Sequence, residues 1–123
     1  MVIDTSIFIE HLRAKNKSST TFYQLSDNSD LFISAVSVYE LYLGANTPVK
    51  RSEIDTLLKN LTILSFTEDI AVKAAEIFLQ LKAENKLIEF RDIFIAATCL
   101  VERLPIATLN KKHFQRIKTL KVV

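Results

Sequence analysis

Apolar and polar positions along this chain change period several times, and each change marks an element. "MVID" opens as a short apolar run that reads as a buried strand, and "SIFIEHLRA" then spaces its apolar residues as a helix does. After the polar "KNKSS", "STTFYQLSD" is helical again, "DLFISAV" is a second strand, and "SVYELYLGA" is a helix stopped by Gly44 and Pro48. A further helix, "VKRSEIDTLLKNL", leads to a third strand, "TILSF". Residues 68–85 keep helical spacing, with acids first and lysine late, the order a helix dipole favours. "RDIFIAATCLVERL" is the most apolar helix; it is expected to pack centrally and to end before Pro105. "IATL" is a fourth strand, "NKKHFQRI" one or two helical turns, and "LKVV" a candidate final edge strand.

Strands alternating with helices predict an α/β fold with a mostly parallel sheet, right-handed crossovers and helices on both faces. Helices in such a sheet run antiparallel to the strands, so their N-termini gather at the strands' C-terminal edge, where ligands bind. The length of 123 residues suits a single domain spanning 1–123, and one glycine with two prolines argues against a turn-rich all-β sandwich. No apolar run approaches the roughly 18 residues of a membrane span. No basic start with an apolar leader is present either, so a cytoplasmic protein without a membrane partner is expected. Cys99 is alone and lies inside the apolar helix, which makes it a small buried hydrophobe in a reducing compartment.

The net charge of +2 is too small to announce a nucleic-acid binder, but it is unevenly placed. No acid follows Glu102, whereas Arg103, Lys111, Lys112, Arg116, Lys118 and Lys121 do, forming either a solvated tail or a phosphate-facing patch. The acids are more informative. Asp4 ends the first strand, Glu40 follows the second, and Asp92 begins the most apolar helix. Each has a plain structural reading: Ser37 with Glu40 has the spacing of a capping box, and Asp4 and Asp92 suit a cap or a first helical turn. Glu53, Asp55, Glu68 and Asp69 decorate other helix starts in the same way. The functional reading rests on the combination, since crowded carboxylates over a buried region repel one another unless a cation neutralises them. Oxygen ligands suit Mg²⁺ or Mn²⁺, which accept phosphate oxygens and lower the pKa of water for attack, so phosphodiester hydrolysis is the reaction class. A glycine-rich phosphate loop, zinc spacing for His11, His113 and Cys99, and a serine nucleophile elbow are all lacking. His11 is expected at the surface, and His113 at the surface or just behind the active edge.

In order and approximate spacing, "VIDTSIFIEHL", "ISAVSVYELYLGA", "RDIFIAATCL" and "IATLNKKHF" resemble the motifs of PIN-domain nucleases, especially VapC-type toxins of prokaryotic type II toxin–antitoxin pairs. The resemblance covers essentially the whole chain. It implies a three-layer α/β/α sandwich with four or five strands in the order 3-2-1-4-5, which brings Asp4, Glu40, Asp92 and the segment after "IATL" into one pocket and leaves Glu68 and Asp69 outside it. It also implies that Asp4, Glu40 and Asp92 hold Mg²⁺ or Mn²⁺, and that Thr5 and Thr108 orient carboxylates or water. Where many relatives carry a fourth acid, this chain has Asn110, which puts a two-metal mechanism in doubt. The loop before Asp92, "NKLIEF", lacks the glycine common in relatives, and Glu89 there is expected to be an exposed surface acid.

The leading expectation is a metal-dependent endoribonuclease, the toxin of such a pair, with Lys111, Lys112 and Arg116 holding the RNA backbone. The resemblance further implies a cognate antitoxin and a homodimer, for which Phe8, Ile9 and Leu12 are candidate interface residues in competition with core packing. Two other classes stay open: an inactive PIN-like binding module, favoured by Asn110, and a phosphoacceptor receiver domain, disfavoured because the first strand lacks an adjacent acid pair.

Overall fold

In the computed structural model, which describes residues 1–27 and 30–123, the two-residue strand β1 (Val2–Ile3) sits at the centre. Its two side chains point to opposite faces, as strand geometry requires, and both are fully buried. Val2 joins a core with Ile70, Ile77, Ile93, Ile106 and Phe114, whereas Ile3 joins Ile7, Phe8, Ile33, Leu41 and Ile54. A sheet covered on both faces follows, and its strands read as continuous apolar runs for that reason.

β1 pairs in parallel with β2 (Phe32–Ser34) and with β4 (Ile106–Ala107), and β2 pairs with β3 (Thr62–Leu64), giving the order β3-β2-β1-β4. One layer holds α1 (Thr5–Arg13), α2 (Thr21–Leu25) and α4 (Pro48–Leu58); the other holds α5 (Glu68–Ala83) and α6 (Phe90–Glu102), with the short α7 (Lys111–Phe114) beside them. α3 (Ala35–Leu43) links the layers, sending Val36 to one core and Leu41 to the other. The expected α/β/α sandwich is therefore present. Its fifth strand shrinks to one parallel bridge, Ile106 to Val122, supported by Val123 N donating to Ile106 O at 2.9 Å.

Several boundaries differ from the periodicity. The second strand stops at Ser34 because the Ser34 hydroxyl accepts from Ser37 N at 3.1 Å and starts α3 there. Ser34 is thus the cap, and the Ser37–Glu40 capping box does not form; Glu40 lies further into the helix with its carboxylate free for other work. The second helix is trimmed to five residues because Thr20 caps it, its hydroxyl accepting from Tyr23 N. Gly44 ends α3 with an ordinary φ of −84°, so its conformational freedom is not used; α6 ends in left-handed Arg103 at φ 57° before Pro105. Cys99 is buried as expected, its thiol pushed up to about 12 by desolvation and by the charge of Asp4. No helix among the described residues is long and apolar enough to cross a membrane.

Candidate active site

The order β3-β2-β1-β4 makes β1 and β4 the neighbours at which the chain's winding reverses, and their C-terminal ends mark the place where open α/β sheets bind ligands. Asp4 follows β1 directly and Thr108 follows β4, and Asp4 N donates to Ala107 O at 2.9 Å, which fixes the two ends side by side. Asp4 occupies the N-cap position of α1, yet its side chain caps nothing. Its Oδ2 instead accepts from the hydroxyls of Ser6 and Thr108, each at 2.7 Å. Both hydroxyls are held in turn, since Leu109 N donates to Ser6 Oγ at 3.2 Å and Asn110 N to Thr108 Oγ1 at 2.9 Å. Asp4 is 2% exposed, and among the described residues no buried side-chain polar atom lacks a partner.

Glu40 enters from α3. The Thr5 hydroxyl lies 2.8 Å from both Glu40 Oε1 and Ser37 Oγ. With one proton to give, it serves the charged carboxylate and accepts from Ser37. Ser34, 3.4 Å from Ser37 Oγ, extends this hydroxyl chain to the end of β2. The other oxygen, Glu40 Oε2, faces Arg91 at 3.6 Å.

Asp92 stands in the first turn of α6, and His113 Nδ1 lies 3.8 Å from its Oδ2. Burial raises its carboxyl to about 6, and the negative charges of Asp4 and Glu40 push in the same direction, with His113 opposing them. That shift is the electrostatic signature of one pocket. Asp92 on α6 thus feels the charges of Asp4, which follows β1, and of Glu40 on α3. Glu68 and Asp69 follow the edge strand β3, are exposed and take no part.

This donor set fits a hard divalent cation, whose charge would relieve the repulsion recorded in Asp92. Among the described residues no three acids, histidines or cysteines stand close enough together to hold a metal ion as a group. Mg²⁺ does not need such a group, since it binds through one or two carboxylates and keeps several waters.

Of the other expected site residues, Thr5 and Thr108 are in place. Asn110 is exposed at the start of α7, and its side chain makes no capping bond. Lys111 and Lys112 are exposed on α7, while Arg116 donates to Leu87 O at 2.9 Å and so ties down the loop before α6. His113 belongs to the site through Asp92. His11 departs from expectation: it is half-buried, its ring 2.7 Å from Thr20 Oγ1 and edge-on to Phe22, and burial with nearby Lys17 lowers its pKa. Glu89 is an exposed rim acid paired with Arg91 at 3.7 Å. Reasoning from sequence missed Ser6, Ser37 and Arg91; the signal for Ser6 and Arg91 was their adjacency to site residues, for Ser37 one helical turn of separation from Glu40.

A family model described as PIN domain matches residues 1–120. Ribonuclease VapC10 of Mycobacterium tuberculosis is 32% identical over 121 residues, spanning 98% of this chain and 90% of its own. Ribonuclease VapC1 of Methanocaldococcus jannaschii is 26% identical over 118 residues, spanning 96% of this chain and 81% of its own. Among solved structures, VapBC2 from Rickettsia felis, bound to a DNA fragment from its promoter, superimposes with a TM-score of 0.88 at 25% identity, covering 99% of this chain and 96% of that one. VapBC-1 from nontypeable Haemophilus influenzae does so with a TM-score of 0.84 at 28% identity, covering 99% and 95%.

Proposed function

This chain belongs to the PIN-domain family and is of the VapC type, and from its acidic pocket we propose that it is a divalent-metal-dependent endoribonuclease, the toxin of a toxin–antitoxin pair. The observation that carries this reading is the convergence of three acids: Thr5, next to Asp4, bonds Glu40, and Arg91, next to Asp92, faces the same carboxylate, while burial and the charges of Asp4 and Glu40 raise Asp92. Three acids kept together against that repulsion serve a cation better than they serve the fold. The relatives named ribonuclease supply the substrate class, and the relatives solved as VapBC complexes supply a cognate antitoxin as partner.

Asp4, Glu40 and Asp92 would hold Mg²⁺ or Mn²⁺. When bound, the ion supplies positive charge that activates water and stabilises the leaving oxygen of a phosphodiester. The chain's own groups prepare the pocket. Ser6 and Thr108 hold Asp4 through Oδ2, and Thr5 holds Glu40 through Oε1, so each carboxylate is fixed through one of its oxygens. Exposed Lys111 and Lys112 lie on the element that carries His113, on the Asp92 side of the pocket, where they would meet the RNA backbone without reading its sequence.

The test is cleavage of total RNA by purified protein with Mg²⁺ or Mn²⁺, beside the same reaction in EDTA and with Asp4→Asn. Discrete products that vanish in both controls are expected. If the folded wild type stays inert with either metal, the binding-module reading, which exposed Asn110 favours, replaces this one.

The homodimer belongs to the same proposal, on a different face from the one α1 suggested. Phe8 is fully buried against Phe22, ring centroids 5.3 Å apart, and Leu12 is partly buried against the same core, so of the three Ile9 is the most exposed. A larger apolar surface runs over α5, α6 and the connection before α5, where Phe66, Phe78, Leu79 and Phe90 are 39–64% exposed and Phe94 meets both Phe66 and Phe90 edge-on. Patches of this kind mark interaction surfaces. Phe90→Glu, at an exposed position, is expected to leave the fold intact and to halve the mass seen by light scattering; an unchanged mass would assign the dimer elsewhere.

A further inference from the structure

The three acids differ in what faces them. Asp4 accepts only from neutral hydroxyls, Asp92 faces a histidine, and Glu40 alone faces a permanent cation, the Arg91 guanidinium. Arg91 is positioned for this by its place in the first turn of α6, next to Asp92. It reaches across to α3 on one side, 3.6 Å from Glu40 Oε2, and to the rim on the other, 3.7 Å from Glu89 Oε2. The Arg91 side chain is 39% exposed, against 19% for Glu40 and 64% for Glu89, so it lies at the pocket mouth, between the acids and solvent.

Two physical facts follow. The oxygen that Arg91 covers is the one Thr5 leaves open, hence the one Glu40 would offer to a metal. A half-exposed ion pair beyond hydrogen-bond length is weak and readily exchanged. A guanidinium set free at that mouth also has the planar fork that matches a phosphate, which a carboxylate-bound lysine would not.

We propose that Arg91 is an exchangeable counter-ion of the pocket: it pairs with Glu40 in the metal-free protein and transfers to a backbone phosphate of the RNA once a divalent cation takes Glu40. Arg91 thereby lowers affinity for the metal alone and raises affinity for metal and RNA together. This inference rests on the assignment of Asp4, Glu40 and Asp92 as metal ligands and adds a phosphate-binding residue to it.

The two are tested separately by titrating Mn²⁺ into RNA-free wild type, Arg91→Gln and Arg91→Lys, with binding read by calorimetry or by the electron paramagnetic resonance of free Mn²⁺. Arg91→Gln is expected to bind Mn²⁺ about three- to tenfold more tightly, the effect of removing one partly screened charge. In cleavage assays the same variant is expected to raise KM about tenfold with a smaller change in kcat, and Arg91→Lys, which keeps the charge and loses the fork, to restore metal affinity while recovering KM only in part. Wild type that takes up no Mn²⁺ would remove the metal site and Arg91's role with it. Mn²⁺ binding by wild type with equal or weaker binding by Arg91→Gln, or an unchanged KM, would overturn the role of Arg91 alone. Circular dichroism melts of both variants verify that each is folded.

Discussion

Asp92→Asn is expected to lose RNA cleavage by about 10³-fold or more and, at pH 8 in EDTA, to melt at a higher temperature than wild type. The two effects share one cause. The Asp92 carboxyl is raised from 3.8 to about 6, so the folded state favours its protonated form. Stability from such a group is fully present below the unfolded value and is lost as pH rises through about 6. At pH 8 the wild type therefore carries the whole cost of an ionised Asp92 beside Asp4 and Glu40. A shift of this size corresponds to about 3 kcal/mol, and the 19% exposure of the side chain together with the nearby histidine brings the expected gain down to about 1–2 kcal/mol, or roughly 3–8 °C. Asparagine removes the cost because it is nearly isosteric and neutral. It also removes a charge from the proposed metal site, and the loss of one preorganised charge at a reacting centre costs about 10²–10³ or more in rate. Calorimetry at pH 8 and at pH 4 checks the first half, since the difference should vanish at pH 4, where Asp92 is protonated in the folded wild type. A variant that melts lower at pH 8 would make Asp92 a helix-start acid serving the dipole of α6; one that cleaves normally would take Asp92 out of the metal site.

That opposition between stability and function explains which parts of the molecule could be read from its residues. The alternation of strands and helices was legible because burial writes itself into periodicity: Val2 and Ile3 had to be apolar to fill two cores at once. The three acids were legible by their place at the ends of strands and the start of α6. Resemblance to a family then separated them from Glu68 and Asp69, which local pattern could not do. Contacts between distant elements were not legible. Ser34 and Ser37 are both serines near the start of the same helix, and the choice of cap turns on where β2 releases the chain. Arg91 looks like any surface arginine until α6 is laid against α3 and its guanidinium meets Glu40. The apolar run of α6 announced burial without saying where along the helix it would begin: Ile93, Ile95, Ala96, Ala97 and Cys99 are enclosed, while Phe90 at its start is 60% exposed. His11 was misjudged for the complementary reason. Its partner Thr20 arrives from the following turn, which the polar stretch "KNKSS" concealed.

Proton competition at Asp92 yields the second large effect. Below about pH 6 the carboxyl takes up a proton, and a protonated carboxyl is a poor metal ligand. At Mn²⁺ concentrations too low to saturate the site, kcat/KM is therefore expected to fall about tenfold per pH unit below about 6, reaching about 100-fold by pH 4. The midpoint must depend on the metal. A bound cation favours the ionised form, so raising Mn²⁺ tenfold should move the midpoint to lower pH, by up to about one unit. His113 acts in the same direction as the metal, holding the Asp92 carboxyl lower than burial and the other two acids would leave it. Removing its ring with His113→Ala should accordingly shift the midpoint upward while cleavage at pH 8, where Asp92 is ionised with or without it, changes far less. Rate profiles from pH 4 to 8 at two Mn²⁺ concentrations, for wild type and His113→Ala, separate these effects. A midpoint indifferent to Mn²⁺ would mean that the titrating group is not a ligand, and the acid limb would then belong to some step other than metal uptake by the pocket of Asp4, Glu40 and Asp92.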